Sequence, residues 1–274
     1  VAPGAGAEEA YVLPVFAYHL PGVGDNLWSS EIYVSNPGVA SRSVRLGEFL
    51  PGRMTVPVPC GRPQGVPREV PPLSTIIWSA ADIAVELGCA TEAVGALEFS
   101  ADGPLVIASR MVNEQGVPEA AGTLISGFGL EVPAVELAEA VPPGRRVLLP
   151  GLAWHPESCD DPAFETAVGI VNLDQEPVTV VLTFPSDTGP ATIFINGEET
   201  ASPFEFTVRR RGWKQVSFNP PLGTDRECKP AELFDLILEA SGSVVAYATV
   251  VDRSTQDGRL ATPASVESTT DGGG

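Results

Sequence analysis

The chain has 274 residues and a formal net charge of −19, from 35 acidic against 16 basic side chains. A surface of that sign repels phosphate backbones and anionic lipid heads, which argues against nucleic acid as a partner, and no run of roughly 18 to 20 continuous apolar residues is present to insert into a bilayer. With 43% hydrophobic residues the chain can bury a core, while 28 Gly and 27 Pro allow many turns and few long helices, the composition of an all-β fold.

In chain order, the opening VAPGAGAEEA (1–10) has the small-residue character found just after a removed signal peptide, so it is read as an N-terminal extension of an exported protein. LPVFAYH comes next, from Leu13 to His19, and short strands are expected over 31–35, 43–46, 54–58, 74–79, 94–99 and 105–112, each bounded by Pro/Gly turns. One short helix interrupts them at Ser79–Gly88, where Ser79 serves as the N-cap, Asp82 sits at the third helical position and Gly88 ends the helix. EVPAVELAEAVPPGRR, from Glu131 to Arg146, divides the chain into two parts, because Pro142, Pro143 and Gly144 break any regular element.

Beyond that boundary the sequence repeats itself. LPVFAYH recurs as LPGLAWH from Leu149 to His155, a shift of 136 positions. Under the same shift Asp25 falls on Asp161, Trp28 on Phe164, Ile32 on Val168, Val34 on Ile170, Asn36 on Asn172 and Leu46 on Leu182. GPLVIASRMVN, starting at Gly103, matches GSVVAYATVVD, starting at Gly242, at a shift of 139, which also superimposes Cys89 on Cys228. In VTVVLTF, alternation turns Val178, Val180, Leu182 and Phe184 inward and Thr179, Val181 and Thr183 outward. Asn196-Gly197 fits the tip of a type I′ hairpin, and SVVAYATVV (243–251) reads as a long, largely buried strand.

The expected architecture is therefore all-β: two tandem β-sandwich, immunoglobulin-like domains related by internal duplication. Their bounds are 11–140 and 147–264, with a linker at 141–146 and a polar tail at 265–274. With LPGLAWH, FETAVGIVNL and AYATVVD in its second copy, the chain resembles the repeated β-sandwich domains of secreted bacterial surface proteins of unassigned function. That resemblance implies an exported tandem of immunoglobulin-like or similar sandwiches, and it brings no catalytic residues with it.

The candidate chemistry is sparse. Four cysteines suit an oxidising compartment, and the pairing that keeps each bridge inside one copy is Cys60–Cys89 with Cys159–Cys228, one of three possible. A zinc site is the rival reading, but CxxC spacing is absent and His19 and His155 are the only histidines. These two are equivalent by the repeat, which points to a shared structural task. Asp160-Asp161 and the 252–257 loop could hold calcium, yet neither has EF-hand spacing, and a solvated turn is the plainer reading. The motif classes for nucleophilic hydrolases, zincins, P-loops and dinucleotide binding are missing, so neither an enzyme, a metal nor a cofactor is expected. A carboxylate pair for glycoside hydrolysis would need only proximity in space.

One feature opposes the acidic background: RRRGWK, with Arg209, Arg210, Arg211, Trp213 and Lys214. It reads either as a charge-protected edge strand with Trp213 turned into the core, or as an interface docking onto the acidic surface of another copy. The expectation is thus a non-catalytic extracellular or cell-surface structural protein, a subunit of a surface or filamentous assembly, with copies of itself or other surface proteins as partners. The alternative is a carbohydrate-binding or adhesive module, in which an exposed Trp28, Trp154 or Trp213 stacks against a glycan.

Overall fold

A computed structural model of the chain describes residues 8–21, 27–52, 60, 63, 65–89, 92–113, 130–154, 164–185, 192–218, 232–252 and 258–266. The first half consists of β1 (Glu9–Tyr18), β2 (Leu20–Pro21), β3 (Leu27–Asn36), β4 (Arg42–Pro51), β5 (Arg68–Val70), β6 (Ser74–Ser79), α1 (Ala80–Leu87), β7 (Ala93–Ala101), β8 (Val106–Asn113), β9 (Glu131–Pro133) and β10 (Val135–Glu136). The second half comprises β11 (Arg146–Trp154), β12 (Phe164–Asn172), β13 (Val178–Thr183), β14 (Thr192–Ile195), β15 (Glu198–Ala201), β16 (Phe204–Val208), β17 (Gly212–Ser217), β18 (Glu232–Ala240), β19 (Val244–Asp252), β20 (Gly258–Ala261) and β21 (Ala264–Ser265). The fold is all-β and antiparallel, with α1 the one α-helix among the described residues. The strand expected over 54–58 lies outside the described residues.

Four main sheets form. Sheet I has the order β10-β1-β7-β4-β5, and sheet II has β2-β3-β8-β9 with β6 also paired to β3. Sheet III runs β17-β12-β19-β20, and sheet IV runs β16-β13-β18-β11-β21. Strand for strand, sheet IV repeats the order of sheet I, and sheet III repeats that of β6, β3, β8 and β9. The register agrees as well: Leu13 pairs Leu97 and Leu149 pairs Leu236, at shifts of 136 and 139. A bulge breaks both pairings at the same place, between Leu13 and Phe16 and between Leu149 and Leu152. Pro14 and Pro150 stand there, and a residue without an N–H cannot continue the ladder.

Two buried asparagines pin equivalent corners. Asn36 Nδ2 donates to the carbonyls of Ala40 (2.8 Å) and Val70 (3.0 Å), and its Oδ1 accepts from Gly38 N. Asn172 does the same with Glu176 (2.8 Å), Val208 (3.2 Å) and Asp174 N, and reaches Arg209 O as well. Likewise Ser30 Oγ accepts from Ala17 N, and Thr166 Oγ1 from Ala153 N. Buried polar atoms must find partners, so each of these side chains holds a turn or strand crossing in one geometry.

Burial patterns show which sheets lie inside. In β3 and β13 buried and half-buried positions alternate, as in strands with one face on a core. In β13, Val178, Val180 and Leu182 point inward as alternation requires, and Phe184 continues the row. By contrast β1 is buried without a break from Tyr11 to Ala17, and β12 from Thr166 to Asn172, so both of their faces are covered. Three clusters account for this. One lies between sheets I and II, with Leu13, Phe16, Ile32, Trp78, Leu97 and Phe99 among its members. The second lies between sheets III and IV, around Leu149, Val168, Leu182, Phe218 and Leu238. The third joins the outer face of sheet I to the outer face of sheet III. The layers therefore stack in the order II, I, III, IV.

Local chemistry is realised where the sequence specified it. Ser79 Oγ accepts from Asp82 N at 3.1 Å and Asp82 Oδ2 accepts from Ser79 N at 3.3 Å, a reciprocal capping box, while Gly88 ends α1 at φ 65°. Asn196 (φ 52°) and Gly197 (φ 81°) form the two-residue tip joining β14 to β15. Cys60 and Cys89 form a disulfide that ties the segment after β4 to the end of α1. Closing its 29-residue loop constrains the unfolded chain by roughly 3 to 4 kcal/mol. Cys159 and Cys228 lie outside the described residues.

The stretch expected to separate the two halves is not wholly a connector. Glu131–Pro133 pairs with β8 and Val135–Glu136 with β1, so both belong to the first half, and Val141 then bridges to Val244 in the second. These short pieces match β20 and β21, because Ser109–Val132 and Tyr11–Glu136 pair as Ala248–Ala261 and Val147–Ser265 do.

Candidate functional site

RRRGWK occupies the turn before β17 and the start of that strand, and it sits at the junction of the two halves. β17 pairs with β12 at one edge of sheet III. Alternation turns Trp213 to the outer face of sheet III, opposite the core-facing Val216, and there it is 9% exposed. It is buried because sheet I covers it: Val12, Val15, Leu50 and Ala96, with Val132 of β9 beside them, meet Val171, Trp213, Val245 and Tyr247 in one apolar cluster. The indole ring lies against Gly52, where a Cβ would come within 2.7 Å of it, so only glycine fits beneath.

Trp213 Nε1 donates to Tyr247 Oη at 3.1 Å, which satisfies the indole inside the cluster. Burial pushes the Tyr247 phenol well above its ordinary range, against a smaller lowering by the Trp213 bond, so it stays protonated. Tyr247 in turn lies over Gly169 on the neighbouring strand, where a Cβ would collide with its ring.

The arginines act around the rim of this cluster. Arg209 Nη2 donates to the carbonyls of Pro51 (2.7 Å) and Gly52 (2.8 Å), at the end of β4 in the first half. Arg211 meets Glu48 through Nε and Nη2, at 3.0 and 2.8 Å, pairs with Glu98, and donates from Nη1 to Leu173 O at 3.0 Å. Burial would lower the Arg211 pKa, but the hydrogen bonds and charges of Glu98 and Glu48 outweigh it and raise that pKa above the usual value. Lys214 lies over the Phe206 ring at 4.7 Å and donates to Thr207 O, both within the second half. Arg210 is exposed at the mouth of an open cleft of about 640 Å³, which Glu48, Phe49, Cys60, Gln175 and Arg209 also line.

Of the five residues singled out in RRRGWK, the structure brings Arg209, Arg211 and Trp213 together with the first half. The partner residues Glu48, Glu98 and Tyr247 carried no sequence signal as a set. One signal did point to Tyr247: β19 is apolar on both faces, and a strand needs two apolar faces only when something covers each. Both guanidiniums engaged here donate to groups on sheet I across its contact with sheet III.

The other candidate residues do not converge on this junction. His19 takes a left-handed backbone (φ 49°) just after β1 and stacks on Tyr18 with ring centroids 4.0 Å apart. His155, Asp160, Asp161 and residues 253–257 lie outside the described residues, whereas Asp252 ends β19 opposite Phe164. Trp28 is half-buried on β3, and Trp213, sealed between two sheets, presents no platform to a glycan. Among the described residues no three His, Cys, Asp or Glu side chains gather as a metal site, and no helix is long and apolar enough to cross a membrane. Comparisons with protein families, with curated proteins and with solved structures find no match to this chain.

Proposed function

We propose that this chain is a non-catalytic structural protein of the extracellular space or cell surface, exported after removal of a signal peptide. Its two halves are immunoglobulin-like sandwiches descended from one duplicated unit, bounded at 11–140 and 147–264, and it serves as a subunit of a larger surface or filamentous assembly. The observation that carries this reading is the junction. The most distinctive side chains of the molecule, Trp213, Arg209 and Arg211, are spent on fixing one half against the other.

Duplication is supported by the shared sheet orders, the matching proline bulges and the asparagine corners. Relative to an immunoglobulin constant domain, one exchange of position stands out: the first long strand, β1, rather than the last, β8, lies beside β7. An oxidising compartment is supported by Cys60–Cys89. Negative-stain electron microscopy of the protein released from its native source without denaturant tests the assembly role. Regular rods, rings or lattices are expected; particles of one chain only would defeat it.

A further inference from the structure

The outer faces of sheets II and III are equivalent, position by position, and among the described residues only one of them is covered. The registers place Tyr33 on Gly169, Ala108 on Tyr247, Val106 on Val245, Ser35 on Val171 and Thr75 on Trp213. Leu73 matches Arg211: both have positive φ (51° and 43°), and Leu73 N donates to Gly38 O as Arg211 N does to Asp174 O. On sheet III this face is sealed by sheet I. On sheet II it leaves Leu73 76% exposed and Ile77 and Val106 60% exposed each, around the half-buried Tyr33 and Ala108. One row of charges, Glu31–Arg110–Glu131, borders it. An apolar field of this kind with a polar rim marks a contact surface.

We infer that this face docks a second copy of the chain, sheet II against sheet II, across a twofold axis. The occupant is identified by the surfaces that a copy still has to offer. Its sheet I face is already buried in the junction. Its sheet IV face has Asp235 at the position of Ala96, bonded to Gly151 N, and displays Glu205, Glu239 and Arg146 outward, so it cannot imitate the aliphatic face that seals sheet III. The apolar face that remains is sheet II itself, and a surface that meets its own equivalent closes as a twofold dimer rather than growing into a fibre. Opposed rims set Arg110 of each copy near the carboxylates of the other. This refines the structural reading above by naming one contact, and an assembly can still form through other surfaces if the contact fails.

Strands about 4.8 Å apart, with about six residues each from β6, β3 and β8 and three from β9 at roughly 3.3 Å, give a field of about 330 Å² per copy. That is roughly two fifths of the area of a standard specific interface, so the dimer is weak and forms at concentrations on the order of 100 µM or above. The net charge of −19 opposes it, so added salt strengthens it, the reverse of a contact held by ion pairs. The test is sedimentation equilibrium of the full chain from about 10 to 500 µM, at about 0.05 and 0.5 M salt. A monomer–dimer equilibrium that tightens with salt is expected. Ile77→Glu with Val106→Glu should weaken it at least tenfold, whereas Leu233→Glu, on the outward side of β18, leaves it unchanged; near-UV circular dichroism confirms that each variant is folded. A monomer at every concentration, a dimer that survives the double substitution, or loss of the dimer in L233E would each overturn the proposal, whereas larger species that persist in the double variant would belong to the assembly and not to this contact.

Discussion

The outer faces of sheets II and III have the same register and the same neighbours in the chain, yet one is an interior and the other a surface. The difference is a handful of side chains. Where sheet III has Val171, Trp213 and Tyr247, sheet II has Ser35, Thr75 and Ala108. Each large aromatic takes roughly 150–250 Å² out of water, about 4 to 6 kcal/mol at the usual coefficient and an upper bound. Two such residues can hold a sheet face against its neighbour where two short ones cannot. Topology thus determined where the faces are, and the covered one carries Trp213 and Tyr247 at its centre, with Gly169 leaving room for the Tyr247 ring where sheet II has Tyr33.

The sharpest way to break this comparison is to make sheet III resemble sheet II. Trp213→Ala should cost roughly 3 to 5 kcal/mol in urea unfolding, because it empties the centre of the junction and strands the Tyr247 hydroxyl. It should also split one transition into two, since the halves then unfold separately, and a single unshifted transition would show that the junction couples nothing. Next come the corners. Asn36→Ala and Asn172→Ala should each cost roughly 1 to 3 kcal/mol, because each leaves buried carbonyls without a donor. The Asn172 variant should be the worse of the two, as its side chain also reaches Arg209 O beside the junction; equal losses would place the corners outside any coupling between halves.

The smallest effect concerns α1, a feature of the first half. Glu86, in the last turn of this helix, has its pKa raised by burial, against a smaller lowering by Arg68, whose Nη2 is 3.7 Å away. A raised carboxyl pKa means that the folded state binds more protons than the unfolded one, so stability falls as pH rises from about the ordinary value of 4.5 through the folded value. Glu86→Gln should therefore raise the urea midpoint at pH 7 and leave it nearly unchanged at pH 3. A lower midpoint at pH 7 would mean that the Arg68 pair outweighs the cost of burial.

Much of the architecture was legible because it rests on local pattern. Alternation in VTVVLTF, the Asn196-Gly197 tip and the Ser79–Asp82–Gly88 helix signals act within a few residues, and the repeat displays the alternation twice. The match of β9 and β10 to β20 and β21 was not legible, since these pieces share register without sharing residues. For the candidate site, RRRGWK stood out by charge and the inward turn of Trp213 was one of its two readings. Its partners did not stand out, for Glu48 and Glu98 are two carboxylates among 35 acidic residues.

By itself, then, the sequence determined an all-β chain of alternating strands in two similar halves and the turns and caps that bound them, because hydrophobic period and backbone preference are properties of neighbouring residues. Tertiary structure alone decided that sheet I packs on sheet III, that Arg209 and Arg211 reach across the rim of that contact, and that no described residue covers the outer face of sheet II. Those outcomes depend on which distant surfaces meet and on the volume between them, and no local pattern encodes either.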